Sequence, residues 1–189
     1  MGVYLGSSKI ALIQDYTILS NGLIDIINNP QKFVSAINNN SNITTIRSSF
    51  FRNLSNSINF GSIALPNCSY IGSYAFAYTN LTEISIKGLQ TTGTYVFASC
   101  PNLSTVTLAN TNNFTISNYT FYSCSNLYKL YLPDSNVVKL GASNAFSYTP
   151  MLSSDASGNF GSIYVPASLV TTYQATTNWT YLSSRITSI

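Results

Sequence analysis

Five phenylalanines, Phe51, Phe76, Phe97, Phe121 and Phe146, recur at intervals of 25, 21, 24 and 25 residues. A beat of that length leaves few folds open to the chain. It is too short for a propeller blade, and a unit of this size cannot bury its apolar face alone, so successive copies must stack into a solenoid with one continuous core. Each phenylalanine closes a similar segment: IRSSFF (46–51), IGSYAF (71–76), TGTYVF (92–97), ISNYTF (116–121) and LGASNAF (140–146). A second block follows each beat: NLTEISI (80–86), NLSTVTL (102–108) and NLYKLYL (126–132) directly, with NFGSIAL (59–65) and NFGSIYV (159–165) after longer loops. All five read Asn, apolar, x, x, apolar, x, apolar.

Alternation of this kind predicts a short strand whose apolar residues point inward, as with Leu81, Ile84 and Ile86, or Leu103, Val106 and Leu108. Parallel strands about 4.8 Å apart then build the coil stack. The fold class expected is therefore a mainly β repeat solenoid of about five coils. The asparagine opening each block (Asn59, Asn80, Asn102, Asn126, Asn159) reads as structural, its amide serving the tight turn or bonding its copies in a ladder. The five phenylalanines form the opposite wall of the core. Cys100 and Cys124 stand three residues after their phenylalanines, where Thr79 and Thr149 occupy the equivalent places. They read as small, half-buried, reduced side chains, with an inter-coil disulfide as the alternative.

Composition explains what covers this core and removes several chemistries. Of 189 residues 45% are hydrophobic and only 7% charged, while Asn, Ser and Thr together supply 71, so the surface is neutral and hydrogen-bonding. The chain is not of the disordered class. A net charge of +3 from scattered Lys and Arg lacks the clustered basic face that nucleic acid requires. With no histidine there is no Ser-His-Asp triad and no histidine-ligated metal. The five carboxylates (Asp15, Asp25, Glu83, Asp134, Asp155) share no repeat position that would stack two as an acid/base pair, and the three cysteines show no metal spacing. No catalytic residue, cofactor or metal is expected. The start lacks the layout of a secretory signal, and no apolar run reaches membrane-spanning length.

The pattern I-G-x-x-A-F-x-x-C-x-N-L-x-x-[IV]-x-[IL], clearest in IGSYAFAYTNLTEISI (71–86) and ISNYTFYSCSNLYKLYL (116–132), resembles the BspA-like, or treponemal-type, leucine-rich repeat. The resemblance covers roughly residues 46–166; Thr92, Gly93 and the two long-loop repeats depart from the pattern. It implies binding rather than catalysis: such proteins are found on bacterial and protist surfaces, in adhesion to host proteins or other cells, and in viruses of gut bacteria.

Terminal coils need caps, and both ends differ from the repeats. Residues 1–42 read as an N-terminal capping or docking module, 43–166 as the solenoid and 167–189 as a C-terminal cap. In the first, VYLGSSKIALI (3–13) suggests a hairpin about its GSS turn and PQKFVSAI (30–37) a helix, with NNNSN (38–42) as linker. In the last, Pro166 precedes one or two short helices carrying Leu169, Val170 and Tyr173, then Trp179, Tyr181 and Leu182, with a closing strand near 186–189. The opening VYLGSSKI also resembles the starts of small tail and virion proteins of phages, and the ending resembles that common on this repeat class in gut bacteria and their phages.

Binding is expected on the outward positions of the strands, where Glu83, Thr105, Thr107, Lys129, Tyr131 and Tyr164 form the candidate surface and only the last three are bulky. Tyr74, Tyr95 and Tyr119, each two residues before its phenylalanine, form a further ladder that could brace the fold or present rings to a sugar or protein. The expected role is a structural or attachment protein of a bacteriophage virion, in the tail or as a capsid accessory. Its expected partners are other virion proteins or a protein or glycan of the host surface, with self-association also open to it. The alternative is a bacterial cell-surface adhesin.

Overall fold

The protein is described by a computed structural model covering residues 11–13, 16–18, 24–26 and 30–33 as backbone, and 34–52, 59–109 and 113–189 in full. The described residues begin with a three-stranded antiparallel sheet, β1 (Ala11–Ile13), β2 (Tyr16–Ile18) and β3 (Ile24–Ile26), followed by helix α1 (Pro30–Ile37). The turn expected within residues 3–10 lies outside the described residues.

From residue 45 onward each coil contributes one two-residue bridge and one longer strand. The bridges are β4 (Thr45–Ile46), β6 (Tyr70–Ile71), β8 (Thr91–Thr92), β10 (Thr115–Ile116) and β12 (Lys139–Leu140). They pair in parallel as β4-β6-β8 and β10-β12. The longer strands are β5 (Ser62–Leu65), β7 (Glu83–Lys87), β9 (Thr105–Ala109), β11 (Lys129–Tyr131) and β13 (Ser162–Val165). With β14 (Ile186–Ser188) they make one six-stranded parallel sheet in the order β14-β13-β11-β9-β7-β5. Register keeps equivalent residues abreast: Ile63, Ile84, Val106, Leu130, Ile163 and Ile186 form one inward row, and all are buried.

The opposite wall is the phenylalanine stack. Rings of Phe51, Phe76, Phe97, Phe121 and Phe146 lie nearly parallel, with successive centroids 4.9, 5.5, 5.6 and 5.4 Å apart. The first four phenylalanine backbone N–H groups donate to the next coil, from Phe51 to Ala75 O, Phe76 to Val96 O, Phe97 to Thr120 O and Phe121 to Ala145 O. The turn around each ring is tight, and it uses left-handed residues on both sides: Tyr74 and Tyr78 flank Phe76, Tyr95 and Ser99 flank Phe97, and Tyr119 and Ser123 flank Phe121. Gly72 and Gly93 are required by close approach, since a Cβ at either would come within 2.3 Å of the backbone nitrogen of Ser48 or Ser73. Gly93, read as a departure from the repeat pattern, is the counterpart of Gly72, and Thr92 keeps the pairing of Ile71 although it replaces the apolar residue.

The first and last repeat strands of the main sheet, β5 and β13, are both flanked by non-repeat residues. Residues 38–42 are more than a linker: Ala64 N–H donates to Asn38 Oδ1 at 2.7 Å, Asn38 Nδ2 donates to Ser62 O, and Asn39 N–H donates to Ala64 O. These bonds occupy the outer edge of β5. At the other end a 3₁₀ turn (Ala167–Leu169), helix α2 (Val170–Ala175) and a 3₁₀ segment (Trp179–Arg185) lead into β14. Trp179 is fully buried against Phe146 and Tyr173, and its indole N–H donates to Val138 O at 2.7 Å. The Tyr173 hydroxyl accepts from Val138 N–H, and its burial pushes the phenol up to about 12. The cap therefore both closes the aromatic stack and supplies the sixth strand.

Two packing expectations need correction. Phe160, read as the first inward residue of the last strand block, is 42% exposed, and the Arg185 guanidinium lies 3.4 Å from its ring centroid. The long loop before β13 brings Met151 to within 3.1 Å of a Cβ placed at Gly161, so the core site is filled by methionine and the ring is turned out. Cys100 and Cys124 are reduced as expected but fully buried rather than half-buried, and both are free thiols, as is the buried Cys68, so the inter-coil disulfide alternative does not hold. Cys100 Sγ donates to Phe76 O at 3.0 Å and Cys124 Sγ to Phe97 O at 2.9 Å, linking each coil to the one before.

Candidate binding surfaces

Strand alternation leaves two rows of side chains outside the main sheet. One row runs Ser62, Glu83, Thr105, Lys129 and Ser162; the other runs Ala64, Ser85, Thr107, Tyr131, Tyr164 and Thr187. All six surface residues expected from the sequence thus lie on this face, none of them buried. Apart from Glu83 and Lys87 of β7, its first three strands present small side chains. At β11 and β13 the surface changes, because Tyr131 and Tyr164 stand directly opposite and stack with centroids 4.6 Å apart and planes 14° from parallel. Lys129 lies on the same strand as Tyr131. Two preordered rings beside a cation form a compact anchor of low conformational-entropy cost on an otherwise flat, neutral sheet.

The tyrosine ladder forms a separate surface beside the phenylalanine turns. Tyr74, Tyr95 and Tyr119 stack at 4.9 and 4.7 Å, with planes within 7°. Tyr122 meets both Tyr95 and Tyr119 edge-on, and Tyr148 meets Tyr122 in the same way. At the N-terminal end the Arg52 guanidinium sits 4.6 Å from the Tyr74 centroid and 5.7 Å from that of Tyr78. Together these residues line a groove of about 540 Å³. Desolvation within the ladder pushes the Tyr95 phenol above its ordinary value, and its neighbours Tyr119 and Tyr74 add to the shift. The sequence named three of these tyrosines. Arg52, Tyr78, Tyr122 and Tyr148 were missed, although Tyr78 and Tyr148 share a signal, each lying two residues after its phenylalanine.

The asparagines opening the strand blocks act locally. Asn80 Oδ1 accepts from Phe60 N–H at 3.0 Å, and Asn126 Nδ2 donates to Pro101 O at 2.7 Å, so each ties its coil to the preceding one. Asn159 instead serves its own loop, where Asp155 gathers the backbone N–H groups of Ser157 and Asn159, the Asn159 amide and the Tyr128 hydroxyl at 2.6 Å. Those bonds, the phenol's first among them, hold the Asp155 carboxyl down to about 2. Glu83 stands on β7 and Asp134 in the loop after β11, apart from this network. Burial pushes the Cys68 thiol up to about 12 and raises that of Cys124 well above its ordinary value, which makes both poor nucleophiles. Among the described residues no group of three or more Cys, Asp and Glu side chains could hold a metal ion, and no helix is long and apolar enough to cross a membrane.

A family model for the BspA type leucine rich repeat region matches residues 44–167 in six copies, one more than the number of phenylalanine beats. A search of curated proteins found no match.

Proposed function

The chain belongs to the BspA-type leucine-rich repeat family, and from that membership we propose that it is a non-enzymatic attachment protein that holds a partner on the outer face of its main sheet. The observation that carries this reading is the stacked Tyr131 and Tyr164 pair beside Lys129. Tyrosine pairs of this kind are frequent interface anchors, and the small Ser and Thr side chains of β5 to β9 let a partner approach the flat sheet around them. A protein partner suits that face best. The surface is neutral and nearly flat, and β11 and β13, which carry the tyrosine pair, are already paired on both sides, so recognition there rests on side chains rather than on strand addition.

We propose a place in a bacteriophage particle, as a tail or capsid accessory component, supported by the resemblance of the opening VYLGSSKI to the starts of small phage tail and virion proteins and by an ending that resembles those of this repeat class in gut bacteria and their phages. Quantitative mass spectrometry of density-purified phage particles and of washed host envelopes from the same culture tests this location. Stoichiometric presence in particles is the expected result. Enrichment in envelopes with absence from particles would overturn it and leave a bacterial surface adhesin.

A further inference from the structure

We infer that the tyrosine groove is a second binding site, shaped for a short acidic oligosaccharide. This inference stands on the opposite wall of the coil from the Tyr131 and Tyr164 pair and does not depend on the function proposed for that pair.

The ladder is interrupted at a definite place. Tyr74, Tyr95 and Tyr119 hold the same position of successive coils, two residues before the phenylalanine, and the next coil has Asn144 there. One face of the Tyr119 ring is covered by Tyr95, and among the described residues no aromatic ring covers the other. Asn144 lines the groove, and its Oδ1 is buried without a hydrogen-bond partner. A buried acceptor left unmatched is costly in a native structure and calls for an explanation. A donor from an occupant of the groove would supply one once the amide turns toward it.

The rest of the lining defines the ligand's chemistry. The backbone of these turns is committed from coil to coil, through Tyr74 N–H to Thr94 O, Ser99 N–H to Tyr122 O and Ser123 N–H to Ser147 O, which leaves no free edge for an extended peptide. Besides Arg52, the lining consists of six tyrosines, Ala98, Asn144 and Ser147, a combination of aromatic rings with neutral hydroxyl and amide groups. Sugars match this combination: their C–H faces pack on aromatic rings while their hydroxyls exchange bonds with neutral donors and acceptors. Among the described residues Arg52 is the sole charged one of the lining, with no carboxylate beside it there, which selects an anionic group at that end. From the guanidinium to the Tyr119 ring the groove advances through steps of 4.6, 4.9 and 4.7 Å. An occupant touching both ends is therefore an extended chain of two or three sugar units carrying a carboxylate near Arg52.

The test uses the full chain with two acidic trisaccharides, 3′-sialyllactose and tri-galacturonic acid, and neutral maltotriose as control, followed by saturation-transfer NMR and titration calorimetry. Arg52→Gln and Tyr148→Ala are the informative variants, since both side chains are exposed and their loss leaves the core intact. The expected result is binding of at least one acidic trisaccharide, weakened about tenfold or more by either variant, with maltotriose weaker and the Tyr131→Ala/Tyr164→Ala double variant unchanged. Absence of binding by both acidic probes, equal binding of maltotriose, or affinity indifferent to Arg52→Gln would overturn the inference. So would binding of a proline-rich acidic peptide through the same residues in place of the sugars. Failure of the sheet-face reading would leave these outcomes untouched.

Discussion

Gly93 has no room for a side chain, because its neighbour across the coil is backbone: a Cβ there would lie 2.3 Å from Ser73 N. Gly93→Ala is expected to destabilise the protein by about 2 to 3 kcal/mol, through forced separation of two coils, as measured by denaturant unfolding. Asp155 gives a prediction in pH. Its carboxylate form accepts four hydrogen bonds, and its folded value of about 2 lies below the ordinary carboxylate value of 3.8. A depressed folded value means that the stabilisation is complete above the ordinary value and is lost as pH falls through about 2. A carbon-detected NMR titration should find its midpoint near 2, and a midpoint near 4 would show that the Tyr128 and Asn159 bonds do not form in solution. Asn80 and Asn159 show what repeat position alone conveys. Both open a strand block, yet one bonds the neighbouring coil and the other an Asp155 loop that only the last repeat contains.

Among the elements, the phenylalanine stack and the tyrosine ladder have the same periodicity and different energetic roles. Phe97 lies fully packed between Phe76 and Phe121, so Phe97→Ala is expected to cost roughly 3 to 5 kcal/mol. Tyr95→Ala, two residues away and half-exposed, should cost about 1 kcal/mol, because it loses stacking and leaves no cavity. Equal costs, compared by thermal unfolding, would mean that the ladder is part of the core. The strands and the phenylalanine wall were legible in the sequence because burial on one face imposes a strict period on apolar residues. The turns between them were not. Their left-handed positions are held by Tyr74, Tyr78, Tyr95, Tyr119 and Tyr148 rather than by glycine or asparagine, the residues that ordinarily signal such backbone. Coil-to-coil hydrogen bonds impose that conformation, and these bonds depend on neighbours twenty or more residues away. Phe160 was misread for a similar reason: alternation placed it inward, while Met151 and Arg185, from other segments, decide its environment.

At the scale of the molecule, a neutral surface rich in Ser, Thr and Asn covers one continuous apolar core, closed by Asn38 and Asn39 on the β5 edge and by Trp179 and β14 at the other end. Stacked aromatic side chains emerge from it at two places among the described residues, the sheet face at β11 and β13 and the tyrosine groove. The sheet-face residues were readable from strand alternation. The groove was only partly so, because Arg52 and Tyr148 reach it from coils at opposite ends of the ladder. With Lys129 as the one cation beside the tyrosine pair, attachment through the sheet should weaken only modestly with added salt. The most direct test of the attachment account is adsorption of the purified, fluorescently labelled chain to host cells, comparing the native protein with Tyr131→Ala/Tyr164→Ala, both checked for unchanged melting. The account predicts saturable adsorption that the double substitution reduces by about tenfold or more. Saturable adsorption that the double substitution leaves unchanged would contradict it.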